Sequence, residues 1–190
     1  VRRFLSQLGD ASTRVVHEDG QSPTQVFTSE GPPVTETDAQ PPAPDPALRR
    51  LEPLVGDWSM TGNLVGSSEE NIVGRASFRW LDGGFFLQQN IEIDFAGQFQ
   101  VKSHELIGYD PETGAFASHV YSNMSPTPLP YAWELRDNKL RISVSHGPLD
   151  ATFEGTISDH GSTFSGGWRP NPGADETINV AYDVRGTRLP

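Results

Sequence analysis

A glutamate within an otherwise apolar strand is the residue of this sequence best suited to acid–base chemistry. If Asp110 pairs with Ala115 across the turn between them, Glu105 lies opposite Val120 on the more apolar face of the hairpin, which should point inward. Gln89, on the preceding predicted strand, would lie nearby. A carboxyl buried among aromatic side chains has a raised pKa and can act as an acid or a base. We therefore predict Gln89 and Glu105 as catalytic residues; the alternative is a carboxylate near the rim, balanced by arginine or water.

A shift of one residue in the same hairpin would place different side chains inside. A β-bulge would turn His104, His119 and Tyr121 inward instead. Two neighbouring histidines can contribute to a metal site, but the sequence has no evident third ligand and no cysteine. The sequence leaves this alternative register open and predicts no metal site.

Aromatic residues recur on one face of several predicted strands and would surround these polar groups. A closed sheet of this size can enclose a small ligand, and aromatic walls with a few polar groups are typical of such sites. The sequence therefore predicts a hydrophobic small molecule as substrate or ligand. The predicted ligand-binding residues are Phe78, Trp80, Tyr109, Tyr131, Trp133, Phe153 and Trp168.

Ten segments with strand-like alternation follow Gly56, separated by clear turn sequences such as Asp82-Gly83-Gly84. Short connections make consecutive strands antiparallel neighbours, and this number of strands favours closure over a flat sheet. The predicted fold class is all-β, a closed up-and-down antiparallel barrel. The predicted strands are Asp57–Leu64, Ile72–Leu81, Phe85–Phe95, Gln98–Tyr109, Ala115–Asn123, Tyr131–Arg136, Lys139–His146, Leu149–Ile157, Thr163–Trp168 and Thr177–Arg185.

A short helix is predicted immediately before the first strand. Asp45 can cap it and Pro46 suits its first position. Its apolar face consists of Leu48, Leu51, Leu54 and Val55, and it ends at Gly56. Trp58, two residues later, is large enough to plug one end of a small barrel.

Residues 1–45 differ in composition from the barrel predicted over residues 46–190. Seven of the sixteen prolines of the chain lie between Pro23 and Pro46, which is typical of a linker. The first nine residues can form two helical turns that place Phe4, Leu5 and Leu8 on one face. We expect this N-terminal segment to act as a lid over the barrel; a disordered leader is the alternative.

The composition excludes several classes of partner. A net charge of −11 and a pI near 4.7 argue against nucleic acid and anionic membrane surfaces. The sequence has no cysteine, no apolar run that could span a membrane, and no phosphate-binding loop or nucleophile elbow. We expect a cytoplasmic protein without a cofactor; the sequence does not give its oligomeric state, with a homodimer as one option.

The barrel region resembles a bacterial family of calycin-like (lipocalin-like) proteins, the domain of unknown function DUF1579. The matching motifs are Leu54-Val55-Gly56-Asp57-Trp58, Leu81-Asp82-Gly83-Gly84-Phe85-Phe86-Leu87 and Ile107-Gly108-Tyr109-Asp110-Pro111-Glu112-Thr113-Gly114. The resemblance extends from about Ala47 to the end of the sequence. It implies the barrel fold. It does not imply an activity, because the family has none in common.

The sequence is more distantly similar to nitrobindin-like barrels, which bind haem through a histidine. No histidine here is a clear counterpart, so haem is an alternative to the prediction of no cofactor. Lipocalin-like barrels also often carry an arginine on the last strand that packs on the first tryptophan. That resemblance implies Arg185 for this role on Trp58.

The predicted architecture is similar to that of lid-gated lipocalin-like cyclases of polyketide biosynthesis, which promote Diels–Alder-type ring closures. This analogy implies a cofactor-free cyclase, a pericyclase of natural-product biosynthesis, that folds a flexible substrate into a reactive shape. A non-enzymatic carrier or sensor of a small ligand is the alternative from a different class.

Overall fold

The computed structural model describes residues 42–158 and 160–190, and they form a closed barrel of ten antiparallel strands. Each strand pairs with its neighbours in sequence, and β1 also pairs with β10, so the predicted up-and-down order is confirmed. The strands are β1 Gly56–Leu64, β2 Ile72–Trp80, β3 Phe86–Phe95, β4 Phe99–Asp110, β5 Ala115–Ser122, β6 Leu129–Arg136, β7 Lys139–His146, β8 Leu149–Ile157, β9 Thr163–Pro170 and β10 Tyr182–Arg188.

A short 3-10 helix, Pro46–Leu54, precedes β1. Asp45 caps it by accepting a hydrogen bond from the Ala47 amide at 2.8 Å. A 3-10 helix has three residues per turn, so Leu48, Leu51 and Leu54 lie above one another on one face, and all three are buried. That face packs against one end of the barrel, which we call the covered end.

Trp58 fills the covered end and is fully buried. Its indole Nε1 donates a hydrogen bond to the Leu54 carbonyl at 2.8 Å, which ties the tryptophan to the helix. The guanidinium of Arg188 lies over the indole ring, 4.4 Å from its centroid. Arg188 also donates to the carbonyls of Val55 and Pro53, so one side chain joins the last strand to the helix.

The expectation that Arg185 would pack on Trp58 was wrong. Arg185 pairs with Thr61 and is exposed on the outer face, whereas Arg188 lies directly opposite Trp58 in the β1–β10 register. The predicted last strand began too early, at Thr177, because Asp175 forms a turn there: its carboxylate accepts from the Thr177 amide at 2.9 Å. The strand begins only at Tyr182 and continues to Arg188.

The opposite end of the barrel, which we call the far end, is lined by Phe95, Tyr131, Trp168 and Tyr182. Of these, only Phe95 is buried; the other three rings are partly exposed.

No helix within the described residues is long and apolar enough to cross a membrane.

Candidate functional site

The β4–β5 hairpin has the register that the sequence predicted. Asp110 pairs with Ala115 and Glu105 pairs with Val120, with continuous pairing between them. Since successive residues of a strand point to opposite faces, this register places Glu105 inside the barrel. Its side chain is 3% exposed, and it is the one Asp, Glu, Lys or Arg that the described residues bury.

Two donors hold one oxygen of the Glu105 carboxyl. The Ser118 hydroxyl donates to Oε1 at 2.5 Å, and the Trp133 indole N–H donates to the same atom at 2.7 Å. The other oxygen, Oε2, has no hydrogen-bond partner among the described residues. Because Oε1 already accepts two hydrogen bonds, a proton on this carboxyl resides on Oε2.

Burial raises the pKa of Glu105 to about 7, and the hydrogen bonds from Ser118 and then Trp133 oppose that rise only in part. The carboxyl therefore titrates close to neutral pH. A group with a pKa close to the operating pH is suited to both accepting and donating a proton.

Gln89 lies directly beside Glu105 in the β3–β4 register and is 8% exposed. The Tyr131 hydroxyl is also close: burial and then the charge of Glu105 raise its pKa to about 12. Burial and then the charge of Tyr131 raise the pKa of Tyr182 in turn. The structure thus brings four polar side chains from β3, β4, β6 and β10 into one interior region.

Several of these polar groups face open space inside the barrel. Every fully enclosed side-chain nitrogen or oxygen in the described part of the chain has a hydrogen-bond partner. The Gln89 amide, the Tyr131 and Tyr182 hydroxyls and Glu105 Oε2 have none there. These atoms therefore border space that a water molecule can reach.

Aromatic rings form a connected wall around this space. Tyr131 and Phe153 each lie 5.8 Å from Trp168, measured between ring centroids. Trp168 pairs with Tyr182 across β9 and β10, and Tyr182 meets Phe95 edge-on at 5.1 Å. Rings at these separations provide a large apolar surface with fixed geometry.

The seven residues predicted to bind a ligand lie in three places. Tyr131, Phe153 and Trp168 belong to the aromatic wall. Phe78 and Trp133 are buried below it, and Trp133 contacts Glu105. The last two, Trp80 and Tyr109, lie at the covered end.

Contacts with the helix account for the position of that last pair. Trp80 Nε1 donates to Glu52 at 2.9 Å. Tyr109 packs on Phe116 and lies beneath the guanidinium of Arg50.

The alternative register is wrong. His104, His119 and Tyr121 lie on the outer face of the sheet and are exposed, because no bulge interrupts the pairing between β4 and β5. His104 Nδ1 instead contacts the Asn90 side chain at 2.5 Å. Across residues 42–158 and 160–190, no three His, Cys, Asp or Glu side chains are grouped closely enough to hold a metal ion.

The haem alternative would need a histidine as the iron ligand, and the described histidines are all exposed. His146 shares the inward parity of Val144, but it is exposed at the end of β7, beside the turn into β8. His160 lies in a turn and is exposed. Together with the outward His104 and His119, these positions supply no enclosed histidine for the iron. The lid residues Phe4, Leu5 and Leu8 lie outside the described residues.

Two residues of the site, Ser118 and Tyr182, are not identified from the sequence alone. Ser118 shares the inward face of the hairpin with Glu105, but its hydrogen bond to the carboxyl has no signal in the sequence. Tyr182 was placed in the middle of a predicted strand, although it begins β10. The alternation of Tyr182 with Val184 was a usable signal, since both face inward.

A separate groove of about 560 Å³ lies on the outer face of the barrel, remote from Glu105. It crosses β8, β9, β10 and β1. Its Arg169 is already paired with Asp183 at 2.5 Å, and both side chains are about half exposed. The barrel interior places an enclosed polar group beside an apolar surface, and the groove does not.

Comparisons with known proteins give a family and a structural neighbour. A family model described as a protein of unknown function, DUF1579, matches residues 43–164. The crystal structure of Rv2717c from M. tuberculosis is similar with a TM-score of 0.48 and 14% sequence identity, covering 77% of this chain and 99% of that chain. No curated protein matches the sequence.

Proposed function

The chain belongs to the DUF1579 family, whose description names no activity, and we propose that its barrel binds a hydrophobic small molecule whose polar end lies at Glu105. The observation that carries this proposal is a buried carboxyl with one unpartnered oxygen, Oε2, beside a wall of aromatic rings. Ser118 and Trp133 hold Oε1 and leave Oε2 facing open space, where it can bind a polar group of a ligand.

The aromatic wall supports an apolar body for the ligand. Burying apolar surface contributes roughly 25 cal/mol per Å², and Tyr131, Trp168 and Tyr182 all retain exposed ring surface that a ligand could cover. Sites of this kind combine apolar walls with a small number of placed polar groups.

The finer form of the proposal is a cofactor-free cyclase, for example a pericyclase acting on a polyketide. Such an enzyme gains rate by holding a flexible chain in its reactive shape and by stabilising the charge that develops. In this proposal the Gln89 amide donates a hydrogen bond to the substrate. Glu105 polarises the same substrate or moves its proton, because the pKa of the carboxyl, about 7, suits proton transfer in either direction.

Native mass spectrometry of the full chain, purified from its own host, tests the binding proposal. A bound organic molecule is expected, and its relation to a linear precursor separates a cyclase from a carrier. A carrier would release its ligand unchanged. Repeated purifications that contain only apo-protein, together with no uptake of added hydrophobic compounds, would refute enclosure of a ligand.

Glu105→Gln tests the catalytic proposal once a substrate is known. The amide keeps an oxygen for Ser118 and Trp133 but cannot transfer a proton, so turnover should fall by at least about a hundredfold while binding changes little. Glu112→Gln is the matched control, since Glu112 is exposed in the turn after β4. Turnover at the wild-type rate in Glu105→Gln would exclude Glu105 as an acid or base.

A further inference from the structure

We infer that the ligand is an uncharged molecule with a carbonyl oxygen, and that this oxygen accepts hydrogen bonds from Glu105 Oε2–H and the Gln89 amide. The inference rests on the proposed binding function and adds the chemical class of the ligand. It follows from an inventory of donors, acceptors and charges in the barrel interior.

Every free polar group of the interior can donate a hydrogen bond, including the hydroxyls of Tyr131 and Tyr182. The hydrogen bonds from Ser118 and Trp133 occupy Oε1 of Glu105, which leaves Oε2 to carry the proton of the neutral acid. Gln89 offers two N–H groups, and the Trp168 indole can only donate. None of these donors has a partner in the described part of the chain. A ligand that satisfies them must present acceptor oxygens.

The charges of the interior exclude an anionic ligand. The side chains that face Glu105 are Gln89 from β3, Ser118 from β5, Tyr131 and Trp133 from β6, and none of them is charged at neutral pH. No Lys or Arg is buried among the described residues. A carboxylate would therefore enter without a counter-charge, which is strongly unfavourable.

Protonation of Glu105 should then control binding. A carbonyl oxygen needs the Oε2–H donor, which is lost when the carboxyl ionises. The pKa of about 7 places this loss near neutral pH. The observed dissociation constant equals the intrinsic constant divided by the fraction of the protein in which Glu105 is protonated. Affinity should therefore fall by about tenfold for each pH unit above the pKa.

Fluorescence titration of the full chain with prodan, a neutral naphthyl ketone, tests the inference. Three naphthalene analogues of similar size serve as comparisons: one without the carbonyl, one with a carboxylate in its place and one with a primary amine. We expect the ketone to bind at least about tenfold more tightly than each of them, with an emission shift that reports a hydrogen-bonded carbonyl. Its affinity should decline above neutral pH.

Two nearly isosteric variants locate the effect. In Glu105→Gln the amide N–H replaces the acid proton, so prodan should bind with an affinity that no longer depends on pH. In Gln89→Leu the affinity for prodan should fall severalfold, with that for the carbonyl-free analogue unchanged. Gln100→Leu, on an exposed position of β4, is the control.

The outcomes separate this inference from the proposed function. If no probe binds, the proposed function fails. If all probes bind equally at every pH, the barrel binds apolar molecules and the inference fails by itself. Tighter binding of the carboxylate or the amine, or a wild-type pH profile in Glu105→Gln, would also overturn the inference.

Discussion

The two ends of the barrel are built from the same strands but differ in what fills them. At the covered end, Trp58, Leu51 and Phe116 are buried to 1% exposure or less, and the helix completes their packing. At the far end, Tyr131, Trp168 and Tyr182 stay partly exposed and carry polar groups without partners. Since complete packing stabilises a fold and unpaired polar surface does not, the covered end provides stability and the far end is available for binding.

The largest expected effect of this difference is on the free energy of unfolding. Trp58→Ala should lower it by about 4 kcal/mol, because the substitution leaves a large cavity and removes the hydrogen bond to Leu54. Trp168→Ala should cost less than half as much, since solvent already reaches that ring. Urea unfolding of both variants measures the contrast. Equal losses would show that the two ends contribute equally to stability.

Glu105, between the two ends, should make stability depend on pH. Its pKa is raised from 4.5 to about 7 in the folded protein, so the folded state holds its proton more strongly than the unfolded state. The contribution is fully present below about pH 4.5 and is lost as pH rises to about 7, a total of about 3 kcal/mol.

Glu105→Gln should remove this part of the pH dependence and be the more stable protein at about pH 8. Denaturant unfolding of wild type and variant over this range measures the difference. Parallel stability curves for the two proteins would contradict a raised pKa at this carboxyl.

Asn179 is an exception to the incomplete packing of the far end. It is a buried polar residue that stabilises the rim of the barrel there. Its Oδ1 accepts from the Asp150 amide at 2.9 Å, and its Nδ2 donates to the carbonyls of Pro148 and Asp175. Asn179→Ala should cost about 2 kcal/mol, since these backbone groups would lose their partners. Ile178→Ala, at the adjacent exposed position, is the control for thermal unfolding and should have little effect.

The smallest expected effect on stability comes from the Tyr182 hydroxyl. Because that hydroxyl has no partner among the described residues, Tyr182→Phe should change the free energy of unfolding by less than about 0.5 kcal/mol. The same variant should weaken prodan binding severalfold if the hydroxyl contacts the ligand. Tyr121→Phe, on the outer face, is the matched control. A large loss of stability would assign Tyr182 to structure.

The sequence predicted the barrel well because alternation and turn chemistry are local signals. The alternation and the turn sequences correctly predicted the order of the ten strands, and the Asp110–Ala115 pairing correctly placed Glu105 inside. Where a polar turn interrupted the pattern, as at Asp175, the strand boundary was misplaced, and with it the arginine that packs on Trp58.

The site was harder to predict because it depends on which end of the barrel is covered. Trp80 and Trp168 have the same residue type and the same inward parity, yet one bonds to Glu52 of the helix and the other belongs to the aromatic wall. Similarly, nothing local to Ser118 or Trp133 shows that both donate to the same oxygen of Glu105. That arrangement arises only when three strands come together.

The side chain of Arg188 has a consequence for how the protein is made. Its hydrogen bonds to Val55 and Pro53 join residues that are 133 and 135 positions apart in the chain. Closing a loop of that length costs about 4 kcal/mol of chain entropy beyond a constant. During synthesis on the ribosome, Trp58 and the helix emerge first and remain without their partner until β10 follows. Throughout that interval the nascent chain exposes an open sheet edge and apolar side chains, and such surfaces favour aggregation.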